Sequence, residues 1–278
     1  MADWALRRLN TAMQTENRIA ELDHSPSDKH PVPPEKPGVL HGEIWLAMQT
    51  SHAQRLFHGR AASKTKPAIV GLVGFANRLR VIWQGARDDD PYADWWLIKV
   101  HEGIEAAGDE VQNRKQQFAE LLEQMNELDV DIAASKRPYR VPLNFANPYA
   151  YRAAKLLADF DSLVCLALTL RHIGLLGNQS SEDIINVSAR KLRSLFMMPQ
   201  NYRLLKINRE QVRTSTGRSQ EASKLMGEIP ADVLSGTRHA PLVPNKRILS
   251  SGFVGQIKLQ SETSPDEGDR SENNNDNG

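Results

Sequence analysis

Asp88, Asp89, Asp90 and Asp94 form the densest carboxylate cluster in the 278-residue chain. Carboxylates so spaced could hold Mg²⁺ or act as a general acid and base. The same run, Asp-Asp-Asp-Pro just ahead of an apolar periodic segment, also has the composition of a helix cap, and capping is the more economical reading. The eight histidines include neither His-Glu-x-x-His nor a His/Cys zinc spacing, so His52, His58, His101 and His172 read as structural or surface groups. Gly71-Leu-Val-Gly74 lacks the rest of a Walker or dinucleotide motif and lies in a helical pattern, where it allows close packing. No Gly-x-Ser-x-Gly or papain-type context is present, and the one cysteine, Cys165, sits in the apolar run Leu163–Leu168, where a thiolate is disfavoured. The aromatics of Asp94-Trp-Trp96 and Phe145–Tyr151 could stack on single-stranded bases, but packing where helices converge accounts for them better. These residues predict no enzyme, no cofactor and no metal.

The charge pattern is more informative. Lys and Arg number 35 against 34 Asp and Glu, a net charge of +1, yet they are unevenly distributed. Between His41 and Ala86 the cations Arg55, Arg60, Lys64, Lys66, Arg78 and Arg80 face Glu43 alone. A second block, Asn186 to Lys224, carries Arg190, Lys191, Arg193 and six further cations against Glu210 and Glu221. Two readings stand side by side. Both blocks could be solvated helix faces balanced by the acidic helix Glu102–Glu127, or they could contact phosphates, each contact releasing counterions.

The elements that must position these residues follow from periodicity. Residues 1–23 read as an amphipathic helical arm, and 24–38, with five prolines between His24 and Gly38, as a linker. A single compact domain is expected over 39–236, with a strand–helix–helix unit at 39–86 and a mainly helical part at 87–236. Leu40–Gln49 alternates as a strand, with Leu40, Ile44, Leu46 and Met48 on one face and His41, Glu43, Trp45 and Gln49 on the other. Thr50 or Ser51 caps a short helix to His58, Arg60–Lys66 is a basic turn, and Pro67 opens the next helix. Tyr92 to about Asn126 is a long helix whose polar second half is expected to protrude. Val130–Ile132 and Tyr139–Phe145 are short strands of a hairpin, Asn147-Pro148 starts a core helix, Ser180–Asp183 starts another, and a polar helix spans about Asn208–Met226. Residues 237–278 are expected to be irregular and then a disordered tail, since six acids and one Arg follow Gln260. The fold class is mainly α with a small β component (α+β), a strand–helix–helix unit followed by a helical bundle and a short hairpin. No window approaches the roughly 18 apolar residues of a membrane span and no secretory signal is present, so a cytoplasmic protein without membrane contact is expected.

A strand followed by two helices is the order of the ribbon-helix-helix arrangement, in which strands of two protomers pair and enter the DNA major groove. On that reading Trp45 and Gln49, with His41, face the bases, Lys64, Lys66 and the amides beyond Pro67 hold the DNA backbone, and Ser51, Arg55, Arg60 and Ser63 are further candidate DNA contacts. Glu43 on the same face and the lack of cations in the strand depart from it. The alternative is that Leu40–Gln49 pairs with Tyr139–Phe145 inside one protomer.

Gly59-Arg-Ala-Ala-Ser63, Ile69–Phe75, Asp88–Leu97, Val141–Tyr151 and Leu156–Asp161 together resemble a protein family encoded on integrating conjugative elements, bacterial mobile elements. That family is more distantly similar to the AcaB-like transcriptional regulators, of ribbon-helix-helix type. The resemblance spans roughly residues 38–245. It implies a DNA-binding transcription regulator, active as a homodimer on the double-stranded DNA of its own element, and it supplies no catalytic residues. A protein-binding accessory for maintenance or transfer of the element, engaging a partner through helix 92–126 and the arm, is the alternative.

Overall fold

The computed structural model describes residues 42–125 and 129–245. The arm, the linker, Leu40 and His41, and the acidic tail lie outside the described residues. The chain is mainly helical with two short antiparallel strand pairs, the α+β class expected. No described helix is long and apolar enough to cross a membrane.

The central element is the helix Pro148–His172, here α4 once its predecessors are placed: α1 Ser51–His58, α2 Leu72–Arg87 and α3 Pro91–Glu123. Asn147 caps α4 by accepting from Tyr149 N at 2.8 Å, with Pro148 at the first helical position. Fifteen of its residues are buried, among them Leu157, Phe160, Leu163, Val164 and Leu170. An apolar stripe this wide must be covered on several sides, and α1, α2, α3 and α5 (Asn178–Met197) all pack on it.

The capping reading of the aspartates is borne out. Asp90 is the cap of α3, and its carboxylate accepts from Tyr92 N at 2.9 Å and from the Tyr202 hydroxyl at 2.7 Å. Asp90 is 2% exposed, and burial pushes its carboxyl up to about 6. A native value above the unfolded one means that the folded protein binds the proton more tightly. The associated stability is complete below about pH 4 and is lost as pH rises through 6. Each pH unit between the two values corresponds to about 1.4 kcal/mol, which makes the loss roughly 3 kcal/mol in all. Asp90→Asn keeps a good capping side chain without the buried charge. Urea unfolding at pH 4.5 and 7.5 should show the variant near wild type at the lower pH and about 2–3 kcal/mol more stable at the higher; parallel curves would refute this.

The second half of α3 does not protrude. Tyr92, Trp96, Val100, Ile104, Ala107, Val111 and Phe118 make a continuous buried stripe, and Lys115 bridges to Asp159 of α4 at 3.2 Å. The polar residues of that half belong to the opposite face.

The first strand pattern holds over β1, Trp45–Met48, where Leu46 and Met48 are buried and Trp45 is exposed; Ile44, expected inward, is exposed. β1 pairs antiparallel with β4, Tyr139–Pro142, with Trp45 opposite Pro142 and Ala47 opposite Arg140. The hairpin expected between Val130–Ile132 and Tyr139–Phe145 is therefore absent, because β4 takes its hydrogen bonds from β1. Asp161 of α4 fixes the exit from β1: its carboxylate accepts from Gln49 N, from Thr50 N at 3.0 Å and from the Thr50 hydroxyl at 2.6 Å. Thr50, not Ser51, is the cap of α1 and accepts from Ala53 N.

Pro67 opens no helix. Gly59–Arg60 and Ile69–Val70 form an antiparallel pair, β2 and β3, and α2 starts only at Leu72 behind Gly71. The base of this hairpin is backbone against backbone. Gly59 has φ +72°, and a Cβ on it would lie 2.2 Å from the Ile69 carbonyl oxygen; a Cβ on Gly71 would lie 2.3 Å from Gly59 N. The apolar β-branched pair Ile69-Val70 fits this ribbon as well as a helix start, and the glycine contact decides between them. Gly59→Ala should cost about 2–4 kcal/mol through the positive φ and the clash, read as a lowered urea midpoint. A variant as stable as wild type would show that the hairpin base can open.

Beyond Leu195 the chain closes the bundle with a 3₁₀ turn at Met198–Asn201 and three short helices, α6 Arg209–Arg213, α7 Gly217–Met226 and α8 Ala231–Ser235. The single polar helix expected over 208–226 is broken at Thr214–Thr216, where Ser215 has φ +51°. The helix expected to open at Ser180 starts at Asn178, and Ser181 is buried against α4.

Candidate nucleic-acid interface

The basic segment Arg60–Lys66 is the tip of the β2–β3 hairpin. Ser63 N donates to the Lys66 carbonyl at 2.9 Å and Lys66 N to the Ser63 hydroxyl at 3.2 Å, so Lys64 and Thr65 occupy the turn itself. Ser63, Lys64 and Lys66 are exposed. Arg60 crosses the hairpin and donates to the Pro67 carbonyl at 2.9 Å.

Packing brings the second basic block to the same place. A cleft of about 510 Å³ lies between α1, the hairpin and α5, lined by His52, Arg55, Leu56, Gly59, Arg60, Ile69, Asn186, Ala189 and Arg193. Asn186, Ala189 and Arg193 share one face of α5 by helical spacing, and exposed Arg190 lies on it too. Lys191 points elsewhere and pairs with Glu110 of α3. None of Arg55, Arg60, Lys64, Lys66, Arg190 and Arg193 is ion-paired with another described residue. Burial and the Arg55 charge hold His52 below its usual value, so the positive charge here comes from arginine and lysine.

The β1–β4 ribbon borders this region. His58 at the end of α1 is 3.1 Å from the Tyr139 hydroxyl, which joins β4 to the root of the hairpin. Trp45 stands on the outward face with the Arg140 guanidinium 5.7 Å from its ring centre, and its indole N–H donates to Glu43 at 3.0 Å. The two departures noted in the sequence are thus met in part: the Glu43 carboxylate is held by Trp45, and the cation missing from β1 comes from β4. Gln49 is half-buried and its Oε1 accepts from Ser135 N at 3.0 Å, while Ser51 is exposed at the first position of α1. Nothing in the sequence marks Arg140, His52 or Asn186 for binding. Only the pairing of β1 with β4 and the docking of α5 on α1 reveal them.

The residues considered for chemistry are used in the fold. Asp94 pairs with Arg209, which also donates to Asp89 at 3.0 Å. Burial raises the Cys165 thiol to about 11, out of the range of a reactive thiolate. Among the described residues no group of three or more His, Cys, Asp or Glu is placed to hold a metal.

Fold and site together define an α+β protein that gathers cations without an ion-pair partner among the described residues around one hairpin and one recess. The chain belongs to the AcaB family of transcriptional regulators, whose family model matches residues 36–247. The fold is similar to the crystal structure of selenomethionine-containing AcaB from uropathogenic E. coli, with a TM-score of 0.51 and 16% sequence identity over 71% of this chain and 98% of that one. No curated protein matches the chain significantly.

Proposed function

We propose that this transcriptional regulator is a non-enzymatic, cytoplasmic DNA-binding protein that acts on the double-stranded DNA of an integrating conjugative element. The observation that carries the reading is the convergence of Arg55, Arg60, Lys64 and Lys66 of the first basic block with Arg190 and Arg193 of the second, more than a hundred residues away, on a surface where none of these six has a carboxylate partner among the described residues. Such cations are available to phosphates. The mobile-element context rests on the sequence motifs.

The reading retains a ribbon-helix-helix character in modified form. The two-stranded ribbon is made within the chain by β1 and β4, with Trp45 and Arg140 outward, and α1 and α2 follow β1. β1 is hydrogen-bonded to β4 alone among the described strands, and Ile44 and Trp45 at its start are half exposed, so a homodimer would form along its other edge.

Binding of the full chain to tiled fragments of its element and to unrelated DNA, at two salt concentrations, tests the proposal. One fragment should be preferred at the higher salt. Absence of binding at both, with a protein partner retained after nuclease treatment, would replace it with the accessory-factor reading.

A further inference from the structure

The recess is built differently from a flat basic surface. Its apolar lining is Leu56, Ile69 and Ala189, and arginines line it from three separate elements: Arg55 from α1, Arg60 from β2, whose guanidinium also donates to the Pro67 carbonyl, and Arg193 from α5. Arg193 is only partly exposed. No carboxylate lines the recess. Two acids act on His52 at the rim: Asp161, already occupied by Gln49 N, Thr50 N and the Thr50 hydroxyl, and exposed Glu182 of α5. Three like charges brought to one small space repel one another, and a bound phosphate would relieve that repulsion. Guanidinium forks match the paired oxygens of phosphoryl and carboxylate groups. Asn186 adds a donor, and the volume of about 510 Å³ lies within the range of small-ligand pockets, about 300–1,000 Å³.

We propose that this recess is a phosphoryl-binding site: Arg55, Arg60 and Arg193 clasp one phosphoryl group, and the apolar lining of Leu56 and Ile69 takes the body attached to it. The site deepens the DNA-binding reading, on which it rests for the role of the neighbouring lysines. Because Arg60 belongs to the hairpin and Arg193 to α5, the bound phosphate ties the hairpin to the bundle. It thereby fixes where Lys64 and Lys66 stand relative to DNA. The phosphate can come from a free ester or from the DNA backbone, and the two sources are separable.

Calorimetric titration of the full chain with AMP, with adenosine and with inorganic pyrophosphate, alongside DNA binding across salt, provides the test. For a free ester, AMP binds with a Kd below about 1 mM, adenosine does not, and Arg193→Met weakens AMP at least tenfold. For a backbone phosphate, AMP does not bind, but Arg193→Met lowers the slope of log affinity against log salt by about 0.9. If Arg193→Met is poorly folded, Arg55→Met gives the same readings. A folded variant that changes neither quantity overturns the site. AMP binding without any DNA binding by the wild type would sink the DNA-binding reading and leave the phosphoryl site standing.

Discussion

Replacing Arg209 with Met should lower the stability of the protein by about 3–5 kcal/mol, the largest single loss expected. The guanidinium belongs to a residue only 8% exposed and bonds in three directions. Its Nε donates to Asp89, one terminal nitrogen to the buried Asp94, and the other to the backbone carbonyls of Val233 and Leu234, the latter at 3.0 Å. One side chain at the start of α6 therefore fastens the beginning of α3 to the end of α8. Methionine fills similar volume but takes the donor from the Leu234 carbonyl, one of two donors from the Val233 carbonyl, which keeps Gly236 N, and the guanidinium charge from a carboxylate that is 2% exposed. At about 2–4 °C per kcal/mol for a body of this size, the melting temperature should fall by about 10 °C. Arg209→Met with Asp94→Asn should recover part of the loss, because the charge that Arg209 compensates is then gone. A loss under about 1 kcal/mol for the single variant would mean that water reaches this network freely.

The largest functional effect is expected at the hairpin tip. Lys64→Ala with Lys66→Ala should weaken DNA binding at least tenfold near 0.1 M salt and lower the salt slope by about 1.8, roughly 0.9 for each phosphate that is no longer neutralised. Both lysines are exposed in the turn, and neither is ion-paired with a described residue. Their removal should leave the fold intact. The loss should be nearly the same on the preferred fragment and on unrelated DNA, since phosphate contacts carry no sequence information. Trp45→Ala, on the outward face of the ribbon, should instead narrow the difference between fragments with little change in slope. Equal losses on every DNA from both changes would sink the ribbon as the reading element. Binding curves by fluorescence anisotropy across a series of salt concentrations suffice to separate these outcomes.

Much of the helical framework was legible because its signals are local. Asp90-Pro91 and Asn147-Pro148 each place a capping side chain directly ahead of a proline, and both start the helices they were expected to start. The saturation of Leu156–Leu170 with apolar residues required a central position, since no one-sided packing could bury them. The alternation of Trp45–Met48 was equally plain. Its pairing with Tyr139–Phe145 within the chain was legible only as one of two alternatives, and the structure takes that one, for a four-residue strand carries too few side chains to specify its partner and β4 lies more than ninety residues away. Pro67 misled for a related reason: Ile69 and Val70 suit a strand or a helix, and the choice falls to the contact of Gly59 with Gly71, which no local rule contains.

The charges divide along the same line. Composition and spacing alone determined that there are two cationic blocks in a nearly neutral chain and that no catalytic or metal-binding motif accompanies them. Tertiary structure decided which cations face the same space. Lys191 and Arg193 are two residues apart, yet helical geometry directs one to Glu110 and the other to the recess shared with Arg55 and Arg60. Caps and periodicity arise from atoms a few residues apart, and so they are written in the sequence. Convergence of side chains from distant elements depends on how whole helices dock, and docking is settled by the summed packing of the core.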